Sequence, residues 1–233
     1  MAVWHSDPME VLYEDNHLLA VSKAPGEIVQ GDRTGDEPLV ETCKAYIKEK
    51  YKKPGAVFLG VVHRLDRPVS GVVLFARTSK ALTRLNDAFR RRDDLEKVYL
   101  ALVEGRPERP SATLTHTLLR NRDQNKSYPV RKGTKDAKEA VLEYRTVAPV
   151  NEGQTLLEIH LHTGRHHQIR AQLAAIGCPI VGDVKYGASH PLPDASIALH
   201  ARSLSLTHPV RREPIIFIAP LPSSPIWDPI RNL

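Results

Sequence analysis

Apolar and polar positions in this chain follow two spacings, and the places where the spacing changes mark its elements. Residues 11–24 hold two short apolar runs split by Glu14-Asp15-Asn16, a turn signal, which predicts a β-hairpin or strand pair. Lys23, Pro25 and Gly26 then form a loop with a cation at its edge, and GDRTGDEP at 31–38 is polar and rich in turn formers. From Leu39 to Tyr51, Val40, Cys43, Tyr46 and Ile47 recur at helical spacing. VVLFA at 72–76 joins β-branched and aromatic residues in a short apolar run that suits a buried strand. Thr78 or Ser79 can cap a helix whose stripe is Ala81, Leu82, Leu85, Ala88 and Phe89, closed by Arg90-Arg91-Arg92. Lys97 to Val103 is apolar on both faces after its first residue, the mark of a central strand.

The second half is read in the same way. Between 119 and 138, Arg120, Arg122, Lys126, Arg131, Lys132, Lys135 and Lys138 face only Asp123 and Asp136. Asn121, Asn125, Pro129 and Gly133 disfavour a helix there, leaving a long basic loop or a hairpin with Ser127–Val130 in one arm. Such a segment can lie along a phosphate backbone or be a mobile, solvated loop, and both readings stay open. In Thr155 to His162, Leu157, Ile159 and Leu161 alternate with polar residues, a half-buried strand. Thr163 and Gly164 are read as opening a helix, RHHQIRAQLAAIG, ended by Gly177. Arg165 would then sit in the first turn, where the helix dipole disfavours a cation, and a nearby carboxylate or phosphate would offset that cost. Asp66 is the carboxylate we place there. From Ala198 onward apolar strands alternate with prolines.

At 233 residues, 41% hydrophobic and 26% charged, the chain has the make-up of an ordinary globular protein with room for a sizeable core. No internal repeat, linker-like composition or low-complexity tract divides it, so one domain, residues 1–233, is the simpler expectation. Thirty-three Lys and Arg against 27 Asp and Glu give a basic balance that permits a nucleic-acid partner without requiring one. Cys43 and Cys178 form no C-x-x-C pair and read as reduced thiols. No apolar run approaches the length needed to span a bilayer, and the N-terminus lacks a signal-like apolar stretch, so a soluble, cytoplasmic protein is expected. Histidines 160, 162, 166 and 167 invite a metal reading, yet neither a zincin-like helical pair nor a Cys/His ligand set is present, and no metal is expected.

The chemistry concentrates in HRLDRPVSGVVLFARTSKA, His63 to Ala81. Asp66 lies among His63, Arg64 and Arg67. Pro68 fixes its own φ and pushes Arg67 out of the helical region, so the segment before Gly71 is a shaped loop leading into a core strand. Flanking cations favour an ionised carboxylate and can also bring in a polyanion. An aspartate beside a proline also serves simply as a turn or capping residue. His-Arg-x-Asp is also found in kinase catalytic loops, but no Gly-rich nucleotide loop precedes it and no Asp-Phe-Gly follows.

Taken together, these stretches resemble the RluA-type family of pseudouridine synthases. HRLDRPVSGVVLFARTSKA is similar to the signature around the family's catalytic aspartate, which falls on Asp66; KVYLALVEG at 97–105 to the second motif, whose tyrosine falls on Tyr99; and TGRHHQIRAQLAAIGCPIVGDVKYG at 163–187 to the third, whose arginine falls on Arg165. LHARSLSLTHPV at 199–210 and APLP at 219–222 also look familial. One departure is Lys23-Ala24-Pro25-Gly26, where the family often reads Lys-Pro-x-Gly. The accessory N-terminal RNA-binding domain of many members is not expected.

The resemblance implies an α+β fold, a mixed, mostly antiparallel central sheet flanked by helices and loops, with a basic cleft. It implies isomerisation of uridine to pseudouridine in an RNA, ribosomal or transfer, without cofactor or metal; the sequence leaves the oligomeric state open, with a monomer as the default. Asp66 would be the catalytic carboxylate, Tyr99 would stack on the base, and Arg165 would pair with Asp66. Arg64 would fill the space of the displaced nucleotide, with His63, Arg67, Arg120, Arg122 and Lys126 as further RNA-binding residues. A rival reading is a non-catalytic RNA-binding protein on the same scaffold.

Overall fold

A computed structural model of the chain describes residues 9–231 apart from 33, 93 and 152. Residues 1–8 of the N-terminal stretch and 232–233 of the tail lie outside the described residues. The architecture is α+β, a mixed, mostly antiparallel sheet with few helices. By packing, the chain divides into two compact units, one of residues up to Leu95 with Ser203–Pro220, the other of Glu96–Arg202 with Leu221 onward.

In the first unit, β1 (Glu10–Glu14) and β2 (Leu18–Lys23) form the expected antiparallel hairpin. Its turn is fixed by Asp15, whose Oδ1 accepts the backbone N–H groups of His17 and Leu18 at 2.8 and 2.7 Å. Helix α1 (Leu39–Lys50) buries Leu39 together with Val40, Cys43 and Ile47 of the expected stripe, while Tyr46 stays half-buried. Strand β3 (Gly60–Val61) is short, and β4 (Ser70–Ala76) is buried along its whole length, paired antiparallel with both β2 and β3. Helix α2 (Ser79–Arg91) begins where the sequence indicated: Thr78 Oγ1 accepts the Ala81 N–H at 3.1 Å. It ends at Arg92, which takes a left-handed conformation while its N–H reaches the Ala88 carbonyl. Leu18, Leu74, Leu85 and Phe217 meet in one core, where full burial of each such side chain stabilises by about 1.5–3 kcal/mol.

A charged knot fastens the same unit. Glu14 accepts from Lys50 Nζ, the Tyr46 and Tyr51 hydroxyls and Arg77 Nη1, all within 2.9 Å. Burial alone would raise the Glu14 pKa, but the Lys50 and tyrosine donors hold it below its ordinary value.

The second unit is built on β5 (Glu96–Glu104), β6 (Ser111–Asn121), β7 (Lys126–Val130), β8 (Lys138–Asn151) and β9 (Gln154–Leu161). They are ordered β5-β9-β8-β6-β7, each neighbouring pair antiparallel. The basic segment is thus a hairpin, with Ser127–Val130 in its second arm. Helix α3 (Gln168–Ala175) closes in the manner Gly177 indicated. Gly177, at φ 76, gives its N–H to the Ala174 carbonyl while Cys178 N–H reaches Leu173, satisfying the last carbonyls. Strand β10 (Leu199–Thr207) begins in this unit, and its last residues, in the first, pair antiparallel with β11 (Pro214–Ile218).

The start of α3 differs from the expected one. The helix begins at Gln168, so Arg165 lies ahead of the first turn rather than within it. His167 takes a left-handed conformation at φ 51 and ends any continuous helical path from Thr163. The hydroxyl that would have capped an earlier start instead donates to Gln168 Oε1 at 2.7 Å. Cys43 and Cys178 are both free and buried. Among the described residues, no helix is long and apolar enough to cross a membrane.

Candidate active site

In the first unit the candidate residues share the loop between β3 and β4, and its shape is held by backbone and buried side chains. Asp66 is half-buried, and its carbonyl accepts the Val69 N–H at 3.0 Å, closing a turn over Arg67-Pro68. The Arg67 carbonyl accepts the Gly26 N–H at 2.8 Å, which ties this loop to the one after β2. Gly26, at φ 88, can take that position without a side-chain penalty.

Beneath the loop lies Lys23, only 1% exposed. Its Nζ donates to the carbonyls of Ala24, Arg67 and Val69 at 2.9, 3.1 and 2.6 Å, so one ammonium ties the loop after β2 to the segment that follows Asp66. Burial pushes its pKa down to about 7, against the opposing attraction of Glu27 and Asp66. Sequence reading placed Lys23 only at the edge of a loop.

The neighbouring cations take different roles. Arg64 is exposed. Arg67 turns its guanidinium to Asp36 Oδ2 at 2.6 Å and Thr34 Oγ1 at 2.8 Å, with Asp32 at 3.6 Å. That arginine is the leading cause of the lowered Asp36 pKa, whereas Asp32 is lowered first by its bonds from Thr34. His63 stacks on Phe89 with 5.1 Å between ring centres, and its Nε2 accepts the Leu74 N–H at 3.0 Å. It thereby satisfies a β4 donor just past the end of the two-residue β3.

In the second unit Tyr99 stands on β5 opposite Ile159 and is 8% exposed. Arg165 is half-buried in the loop after β9, and that loop is stitched to β8. Arg165 Nε donates to the Glu139 carbonyl at 2.8 Å, and its backbone N–H donates to Gln168 Oε1 at 2.9 Å. Gln168 Nε2 in turn reaches the Val141 carbonyl at 3.1 Å. The backbone around Arg165 is therefore set by Gln168, which pattern reading did not single out, and by Thr163, which it read as a helix start.

Arg120, Arg122 and Lys126 gather at the tip of the β6–β7 hairpin, where Arg120 pairs across with Ser127. Lys126 Nζ lies 4.9 Å from the centre of the Tyr186 ring, over which the Arg170 guanidinium also lies at 5.1 Å. Arg170 forms a buried two-point pair with Asp183, at 2.6 and 2.8 Å. Two cations on one tyrosine and a buried carboxylate behind them anchor the hairpin near its tip. Among the described residues, no group of three or more His, Cys, Asp or Glu is arranged to hold a metal ion.

Residues 17–175 match the family model described as RNA pseudouridylate synthase. The chain is 37% identical over 229 residues to the ribosomal large subunit pseudouridine synthase D of Xanthomonas campestris pv. campestris, covering 92% of this chain and 66% of that one. It is 37% identical over 237 residues to the protein of the same name from Xylella fastidiosa, covering 95% and 68%. The chain thus spans about two-thirds of the length of these relatives. Among solved structures, human RNA pseudouridylate synthase domain containing 4 shares the fold, with a TM-score of 0.76 at 24% identity over 92% of this chain and 89% of that one.

Proposed function

The chain belongs to the RNA pseudouridylate synthase family of isomerases, and from that premise we propose that it converts a specific uridine of structured RNA, ribosomal or transfer, to pseudouridine. The names of the Xanthomonas and Xylella relatives favour large-subunit ribosomal RNA. The reaction breaks the bond between N1 and the sugar C1′, turns the uracil, and joins C5 to C1′. The proton leaving C5 is balanced by one gained at N1, so nothing is consumed.

The observation that carries the reading is the loop of Asp66, a carboxylate followed directly by backbone that Lys23 holds at Arg67 and Val69 and Gly26 holds at Arg67. Glycosidic cleavage develops positive character at C1′, and a held carboxylate stabilises or traps it. Tyr99 is assigned to the base and Arg165 to the charge of Asp66. A uracil inside folded RNA must first leave its stack, at a cost of a few kcal/mol. Arg64 filling the gap and the cations of the β6–β7 hairpin on phosphates offset that cost. His63 and Arg67 shape the loop from which Arg64 projects. We take residues 1–233 to act as one catalytic domain, as a monomer in the cytoplasm.

The test is pseudouridine mapping of total RNA from cells with and without the gene, repeated with an Asp66→Asn rescue. One uridine that loses its mark and regains it only with the wild-type protein supports the assignment. Full restoration by Asp66→Asn would sink it. RNA binding by the purified protein without turnover would instead make it a binding protein on this scaffold.

A further inference from the structure

The residue after Arg165 is bound to the basic hairpin through both of its ring nitrogens. His166 Nε2 lies 3.1 Å from Asn125 Oδ1, and Nδ1 lies 3.0 Å from Ser127 Oγ. An amide oxygen only accepts, so Nε2 carries the proton, and Nδ1 accepts the Ser127 hydroxyl. Ser127 is buried and held a second time, because its backbone N–H donates to the Tyr186 hydroxyl at 2.8 Å. That hydroxyl, 3.0 Å from His167 Nδ1, donates its hydrogen bond to the ring nitrogen. Burial, ahead of the neighbouring cations, pushes the His167 pKa down to about 2, so the ring is the neutral acceptor this chain of bonds requires. The two histidines stack with 3.8 Å between centres.

One serine of the hairpin is therefore clasped from its side chain by His166 and from its backbone by the Tyr186–His167 pair. The cations Arg120, Arg122 and Lys126 surround this point, and Lys185 Nζ reaches the Asn125 carbonyl at 3.5 Å. On the other side of the clasp, His167 is held at φ 51, a conformation that side chains other than glycine adopt at a cost. The contacts to the hairpin thus help set the backbone that carries Arg165.

We propose that Ser127 and His166 couple RNA docked on the β6–β7 hairpin to the placement of Arg165, which makes His166 a positioning residue for the reaction. This rests on the function proposed above. Phosphates that hold the hairpin hold Ser127, Ser127 holds His166, and His166 fixes the backbone next to Arg165.

The test compares two substrates under single-turnover conditions with saturating enzyme. One is the intact RNA whose uridine the mapping identifies; the other is a minimal stem-loop around that uridine whose affinity does not respond to Arg120→Ala. His166→Ala should lower the ratio of the two rates, intact over minimal, by roughly three- to tenfold, the range one hydrogen bond spans. His166→Asn, which keeps an acceptor near the Nδ1 position for Ser127, should restore much of it. Equal losses on both RNAs would mean plain local damage, and no loss on either would mean no coupling; each overturns the proposal.

Amide hydrogen exchange with ribosomal RNA as the probe separates this from the enzymatic reading. RNA should slow exchange of the 165–168 amides in the wild type and not in His166→Ala. Protection confined to the hairpin overturns the coupling whatever the catalysis. Coupled protection without pseudouridine in any RNA supports the clasp and rejects the activity, while absence of RNA binding rejects both.

Discussion

Replacing Lys23 with methionine isolates the largest electrostatic cost under the Asp66 loop. In the unfolded chain this lysine titrates near its ordinary 10.5, and in the fold burial brings it to about 7. At about 1.4 kcal/mol per pH unit, that difference amounts to about 5 kcal/mol. The sign follows from proton binding. Between about pH 7 and 10.5 the unfolded chain holds the proton and the folded one does not, so Lys23 makes wild-type stability rise with pH across that window. Below about pH 7 both states are protonated and the penalty is present in full. Wild-type stability minus that of Lys23→Met should therefore climb by up to about 1.4 kcal/mol per pH unit and level off near the unfolded pKa. Taking the difference cancels the other titrating groups to first order. Urea unfolding followed by circular dichroism at steps from about pH 7 to about pH 10 reads it directly. The opposing force is specific: three carbonyls match the three donors of an ammonium, and a neutral amine leaves one of them unmatched. A flat difference would show that those carbonyls keep Lys23 charged and that burial has been overweighted.

The remaining expectations are simpler. Changing Arg120, Arg122 and Lys126 together to alanine should weaken RNA binding and reduce the slope of log affinity against log salt by roughly 2 to 3; an unchanged slope removes the hairpin from the interface. Asp183→Ala strands the buried Arg170 guanidinium and should cost about 3–5 kcal/mol in denaturant unfolding, so a loss below about 1 kcal/mol would contradict the pair's burial. Thr78→Ala should lose about 1 kcal/mol from the start of α2, and Thr78→Ser should keep nearly all of it.

Much of the fold was legible because its signals are local. The Asp15 turn and the Thr78 cap act within a few residues and the structure bears them out, as it does the α1 stripe apart from Tyr46 and the β9 alternation from Leu157 to His160. Strands β6 and β8 gave little signal. Few of their side chains, such as Leu118, Ala140 and Leu142, are buried, and β8 exposes Val147 and Pro149 beside its polar residues, which blurs the alternation. The start of α3 was misread because a threonine before a helical run looks like a cap. Here it bonds Gln168 Oε1 and the Val141 N–H instead, a competition invisible without β8 alongside.

The site divides along the same line. A short loop motif identifies Asp66, but what holds Asp66 is set by pairing between distant strands. Lys23 reaches the Arg67 and Val69 carbonyls across 44 and 46 residues of sequence. It can do so because β2 and β4 pair with Lys23 opposite Gly71. Side chains alternate along a strand, so a slip of one residue would turn Lys23 to the other face and bring Ser22 beneath the loop. A serine could not bridge three carbonyls. Core packing supports that register on both faces: Leu18 and Ala20 share one cluster with Val72, Leu74 and Ala76, and Leu19 and Val21, on the face of Lys23, are equally buried. The geometry around the candidate carboxylate is therefore set by the core of its sheet, and core substitutions that loosen the β2–β4 register should cost activity along with stability.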